Sequence, residues 1–190
     1  MKIGLYFGSF NPIHHGHLII AKHCLNFTDL QQIWLVLSPQ NPFKNPASLL
    51  GEYDRLHIIN KAIDGELNIK VTDVEFKLPR PSFTIDTLQY LEERYPENYF
   101  TIVMGSDSLQ NINKWKNSDI LLKRYPLYVY NRKDFPINKD LQADIIILDA
   151  PLIEISSSYI RQLIKLNKSI KYLVPDSICN EIENTKFYKS

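Results

Sequence analysis

Short apolar runs alternate along the chain with longer stretches in which apolar residues return every three or four positions. The runs predict strands at Lys2–Phe7, Gln32–Leu37, Ile69–Asp73, Phe100–Met104, Leu127–Tyr130 and Ile145–Leu148. The periodic stretches predict helices at His15–Phe27, Glu52–Asp64, Thr84–Tyr95, Ser157–Leu166 and Pro175–Asn184. Several runs, such as Ile33-Trp34-Leu35-Val36-Leu37, are apolar without interruption, as strands buried on both faces are. Strands of this kind separated by helices predict an α/β fold: a single, Rossmann-like, doubly wound parallel sheet with helices on both faces. In such a sheet, ligands bind beyond the carboxyl ends of the strands.

One strand-to-helix junction carries more chemistry than the rest. Gly8-Ser9-Phe10-Asn11-Pro12-Ile13-His14-His15-Gly16-His17 joins the first strand to the first helix. A helix start gathers unpaired N–H groups and the positive end of the helix dipole, so it favours anions. His14 and His17, three apart, share a face, while His15 points elsewhere. Gly16 would let a ligand approach the backbone closely. Histidines at this spacing can also share a metal, although no Cys or carboxylate accompanies them in sequence. Phosphate handling is the first expectation.

A second helix start, Ile155-Ser156-Ser157-Ser158-Tyr159-Ile160-Arg161, offers hydroxyls for capping and an Arg that reaches back over the same face. This combination suits a polyphosphate. Gly105-Ser106-Asp107 lies at another strand end. Ser38–Gly51, with three prolines, reads as a long functional loop.

Composition narrows the partners. The 190 residues carry 22 Lys plus Arg against 21 Asp plus Glu, without a dense basic run. Nucleic acid and an anionic membrane are therefore not expected partners, and affinity for phosphate has to be local. One domain, 1–190, is the natural size, with a C-terminal helical segment from about 157. Cys24 and Cys179 show no metal or redox spacing, and both are expected reduced in apolar helix faces. With no signal-peptide pattern and no membrane-spanning stretch, a cytoplasmic enzyme is expected. The C-terminal segment leaves both a monomer and a homo-oligomer open.

His14-His15-Gly16-His17 resembles the H-x-G-H signature of the nucleotidyltransferase α/β phosphodiesterase superfamily, and Ile155–Arg161 resembles its I-S-S-T-x-I-R partner. Within that superfamily the chain is similar to bacterial nicotinate mononucleotide adenylyltransferases. Pro42-Phe43-Lys44 resembles their P-H-K loop. Pro81-Ser82-Phe83-Thr84-Ile85-Asp86-Thr87-Leu88 resembles P-S-Y-T-x-D-T-L, and Met104–Leu109 followed by Trp115 resembles G-x-D-S-L…W. Ser158 replaces Thr, Phe83 replaces Tyr, Phe43 replaces His, and Asn131-Arg132-Lys133-Asp134 stands where R-P-G is common.

The resemblance implies transfer of AMP from ATP to nicotinate mononucleotide, giving nicotinate adenine dinucleotide and pyrophosphate in NAD biosynthesis. It implies Mg²⁺ on the ATP and no protein-held metal. His14, His17 and Arg161 would carry the catalysis, with His17 nearest the reacting phosphorus. Gly8, Ser9, Phe10, His14, Gly16, His17, Gly105, Asp107, Ile155, Ser157 and Arg161 would bind ATP, with Ser157 and Arg161 on its outer phosphates and Asp107 on a ribose hydroxyl. Ser9, Lys44, Thr84 and Trp115 would bind the acceptor, Trp115 by stacking on the pyridine. Free N–H groups near Thr84–Asp86 would select the carboxylate over the amide. His23, His57, Arg55 and Arg132 receive no role. The alternatives are an adenylyltransferase for nicotinamide mononucleotide or phosphopantetheine, a cytidylyltransferase, a class I aminoacyl-tRNA synthetase fragment and a nucleotide sensor without turnover.

Overall fold

A computed structural model of the chain describes residues 1–40, 49–137, 141 and 143–189. Among these, six strands form one sheet in the order β3-β2-β1-β4-β5-β6, all parallel. The strands are β1 (Lys2–Gly8), β2 (Gln32–Leu37), β3 (Ile69–Thr72), β4 (Tyr99–Gly105), β5 (Leu127–Tyr130) and β6 (Ile145–Leu148). All six predicted strands are present, within a residue or two at their ends.

The helices are α1 (His15–Phe27), α2 (Glu52–Ala62), α3 (Thr84–Arg94), α4 (Ser106–Leu109), α5 (Ser118–Arg124), α6 (Ser157–Lys165) and α7 (Asp176–Asn184). The five expected helices are there. The short α4 and α5 are additions, too brief to display a period.

Two cores show the double winding. Side chains alternate along a strand, so β1 sends Ile3 and Leu5 to one face and Tyr6 to the other. The first face packs on Ile85, Leu88 and Leu91 of α3 and Leu121 of α5. The second packs on Ile20 and Cys24 of α1, Ile58 and Ile59 of α2, Ile160 of α6 and Ile178 of α7. Each such fully buried side chain stabilises the fold by about 2 kcal/mol. Cys24 and Cys179 are buried free thiols on α1 and α7. The outermost strand departs from the buried pattern, since Ile146 and Ile147 stand 43% and 41% exposed.

Register sets the site. Gly8 pairs with Leu37, Tyr6 with Val103 and Gly105 with Tyr130, so the loops after β1, β2, β4 and β5 leave at one level. The strand order reverses between β1 and β4, where a doubly wound sheet opens a crevice. Among the described residues, no helix is long and apolar enough to cross a membrane.

Candidate active site

The β1–α1 loop turns sharply at Phe10, whose φ is 42°. Its ring is fully buried and lies edge-on to His17, 5.0 Å between centroids. A Cβ on Gly8 would stand 2.9 Å from that ring, so glycine is what the turn needs there. His14 is the N-cap of α1, and its ring stacks on His17 at 3.8 Å. The His14 N–H donates to Nδ1 of His17 at 3.3 Å. An accepting Nδ1 leaves the proton of the neutral ring on Nε2, so His17 offers a fixed donor.

Gly16 is required by the packing itself. A Cβ there would lie 2.9 Å from Nδ1 of His14 and 3.1 Å from Ile153, so the glycine makes room for the His14 ring. The α1 terminus is also less available to an anion than expected. The His15 N–H donates to the Leu173 carbonyl at 3.0 Å, and the His17 N–H donates to the His14 carbonyl at 3.0 Å. The His15 and His17 amides are thus engaged within the fold.

His14 is 3% exposed. Burial, then the positive charges of Arg132 and His15, lowers its pKa from 6.5 to about 3. The ring is neutral in the folded protein at neutral pH. The unfolded chain binds the proton near pH 6.5 and the folded one only near pH 3, so this contribution to stability is complete above the first value and fades below it. Thermal unfolding followed across pH should show the loss, about 2 kcal/mol from this group by about pH 5. A His14→Asn protein should lack that part of the pH dependence.

The second motif joins the first directly. Ser156 caps α6, accepting from the Tyr159 N–H at 3.2 Å. The Ser157 hydroxyl donates to the Pro12 carbonyl at 2.9 Å. Arg161 donates to the Asn11 carbonyl at 2.7 Å and to the Ser158 hydroxyl at 3.3 Å. Residues 145 and 150 positions apart in sequence thus close one loop-to-helix junction.

Beside it opens a cleft of about 560 Å³. Gly8, Ser9, Phe10, His17, Gly105, Asp107 and Ser157 line it, as do Thr84 and Trp115 from the other side of the switch point. His14, Gly16, His17 and Ile155 line a narrow adjoining crevice. Arg161 lines neither; it stands behind Asn11 and Ser158. Lys44 lies outside the described residues. Gly105 is tightly enclosed, since a Cβ would collide with the Asp107 carboxylate and lie 3.1 Å from the Tyr130 ring. Asp107 sits in the first turn of α4 rather than capping it.

At the start of α3, the Asp86 N–H donates to the Phe83 carbonyl at 3.0 Å. The Asp86 carboxylate pairs with Lys116 at 2.8 Å, whose ammonium also stands 5.0 Å over the Phe83 ring. Asp86 is therefore already engaged, and the donors left to a ligand in this turn are the amides of Thr84 and Ile85.

Several lining residues fall outside every motif of the sequence. The Tyr6 and Tyr130 hydroxyls meet at 3.0 Å within the buried wall. Arg132 donates to the Tyr130 hydroxyl at 3.2 Å, lies 3.9 Å from Asp107, and sits 5.3 Å over the Tyr130 ring. Its position just past a strand end was the available clue. Glu75 is buried and accepts from Ser82 at 2.8 Å and Thr87 at 3.0 Å. Burial raises its pKa against the opposing effect of those hydroxyls.

A cytidylyltransferase-like family model matches residues 5–163. A probable nicotinate-nucleotide adenylyltransferase of Flavobacterium johnsoniae is 46% identical over 192 residues, covering 100% of both chains. One of Cytophaga hutchinsonii is also 46% identical, again over 100% of each. Among solved structures, the Plasmodium falciparum nicotinic acid mononucleotide adenylyltransferase complexed with NaAD superposes with a TM-score of 0.83. That pair is 21% identical and the match covers 98% of this chain and 97% of the other, a likeness of fold. With a doubly wound sheet, a cleft at its switch point and two helix-start motifs bonded together beside it, the chain belongs to the cytidylyltransferase-like family and, within it, to the nicotinate-nucleotide adenylyltransferases.

Proposed function

We propose that the protein moves the adenylyl group of ATP onto the phosphate of nicotinate mononucleotide, in the cytoplasm, with His17 as the donor nearest the reacting phosphorus. An ionised phosphate oxygen of the acceptor attacks the α-phosphorus. The new P–O bond forms as the bond to the bridging oxygen breaks, and pyrophosphate leaves. The nucleophile is already charged, so the protein needs neither a strong base nor a covalent intermediate. What it supplies is alignment of two anions and stabilisation of charge on the leaving group.

The observation that carries this reading is the bonding of Ser157 and Arg161 to the Pro12 and Asn11 carbonyls. It sets the N-terminus of α6 beside the two stacked histidines, where a polyphosphate could lie across both. Because the Ser157 hydroxyl proton is spent on Pro12, its contribution is the backbone N–H together with that of Ser158. Arg161 keeps donors beyond the two already used. His14, neutral, acts by hydrogen bonding and by holding the His17 ring. Among the described residues no group of three His, Cys, Asp or Glu could hold a metal ion. Mg²⁺ is proposed to arrive as part of the ATP substrate, held by phosphate oxygens and water.

For the acceptor, Ser9 and Lys44 are proposed on its phosphate and Trp115 on its pyridine ring, with the Thr84 and Ile85 amides receiving the carboxylate. Asp107 is proposed on a ribose hydroxyl. Incubation with ATP, Mg²⁺ and, separately, nicotinate mononucleotide, nicotinamide mononucleotide and phosphopantetheine tests the reading. Turnover of the nicotinate acceptor alone supports it, and equal turnover of the amide removes the proposed carboxylate selection. Trp115→Ala should raise the acceptor KM about tenfold through loss of stacking, with the ATP KM unchanged.

A further inference from the structure

Arg55, on α2, is 1% exposed and is the largest side chain so completely buried. Among the described residues it forms no ion pair, and the nearby Glu52 is paired with Arg80 at 2.7 Å. Its guanidinium instead donates to four carbonyls: Leu50 at 2.8 Å, Ser9 at 2.8 Å, Ser38 at 2.9 Å and Pro39 at 2.8 Å. Three separate segments are held by one planar group. Two of them, the turn after β1 and the turn after β2, form adjoining walls of the cleft.

Desolvating a guanidinium is costly, and well-packed apolar groups often stabilise as much. What an apolar side chain cannot do is fix the direction of a peptide. The Ser9–Phe10 and Pro39–Gln40 bonds are trans, so in each the N–H points opposite to the C=O. Carbonyls drawn back towards Arg55 turn the Phe10 and Gln40 amides to the other side, and both residues line the cleft.

We infer that Arg55 is a positioning residue for adenylyl transfer: it sets the spacing of the two turns and aims the Phe10 and Gln40 amides at the substrate phosphates. This rests on the function proposed above. Arg55 touches neither substrate. It governs how closely the attacking oxygen is held to the α-phosphorus, a quantity to which rate is far more sensitive than binding.

The test is steady-state kinetics of Arg55→Lys and Arg55→Met with ATP and nicotinate mononucleotide, normalised to the folded fraction by ATP-binding stoichiometry. Lysine keeps the charge but not the planar fork, so it cannot hold the same carbonyl directions. The expected result is kcat ten- to a hundredfold lower for Arg55→Lys, with each KM within about threefold of the wild-type value. A purely structural Arg55 would lower the melting temperature and leave kcat per folded molecule unchanged, and that outcome overturns the inference. Should Arg55→Met not fold, the lysine variant alone decides. Absence of wild-type turnover would remove the functional reading and this inference with it, whereas normal wild-type turnover with unaltered Arg55→Lys kinetics removes this inference alone.

Discussion

Replacing His17 with alanine is expected to lower kcat by about a hundred- to a thousandfold, the loss seen when one preorganised donor to a developing charge is removed. The site holds this ring from three sides. The His14 N–H fixes its Nδ1, the His14 ring covers one face, and the Phe10 ring closes on it edge-on. Its donor thus needs little reorganisation at the moment of reaction. Alanine leaves the stack and the hydrogen bond unmade, but the loop keeps its ties to Ser157 and Arg161. ATP should therefore still bind within a few-fold of the wild-type affinity. Rapid-quench measurement of dinucleotide formation, beside equilibrium binding of ATP, checks the prediction. An affinity loss matching the rate loss would place His17 in ground-state binding.

Arg161→Ala should be nearly as damaging, about a hundredfold in kcat/KM for ATP. Two effects add. On the proposed reading the outer phosphates lose a cation, and the Asn11 carbonyl loses a charge-assisted bond of 2.7 Å that holds the loop to α6. Arg161→Lys separates them: a single ammonium restores positive charge but cannot bridge Asn11 and Ser158 as the fork does. Recovery of ATP affinity without recovery of kcat in the lysine protein would show that loop placement matters beyond charge. Full recovery of both would reduce the role of Arg161 to its charge.

The sequence made the scaffold legible because its signals are local. A short run such as Ile33–Leu37, rich in β-branched and aromatic residues, favours a buried strand, and Ser156 before an apolar period favours a helix start. The α4 and α5 helices escaped detection because Ser106–Leu109 and Ser118–Arg124 are too short to show a repeat. The same division runs through the site. His14, His17, Ser157 and Arg161 sit in contiguous motifs and could be named in advance. Tyr6, Tyr130, Arg132, Glu75 and Arg55 matter through where sheet register and loop closure bring them, which no local pattern encodes. Gly16 is the instructive middle case: its presence was legible, but the room it makes for the His14 ring required the packing.

The Leu173 carbonyl that accepts the His15 amide has a bearing on biosynthesis. β1 lies in the middle of the sheet, yet the loop it feeds is completed by Ser157, Arg161 and Leu173, all made long after it. A nascent chain on the ribosome can set β1 between β2 and β4, with β5 beside β4, and still lack the groups that close the β1–α1 loop. Contacts of such long sequence separation form late and slowly. A polypeptide not yet extended past Leu173 therefore cannot close the β1–α1 loop as the folded protein does, however much of its sheet has formed.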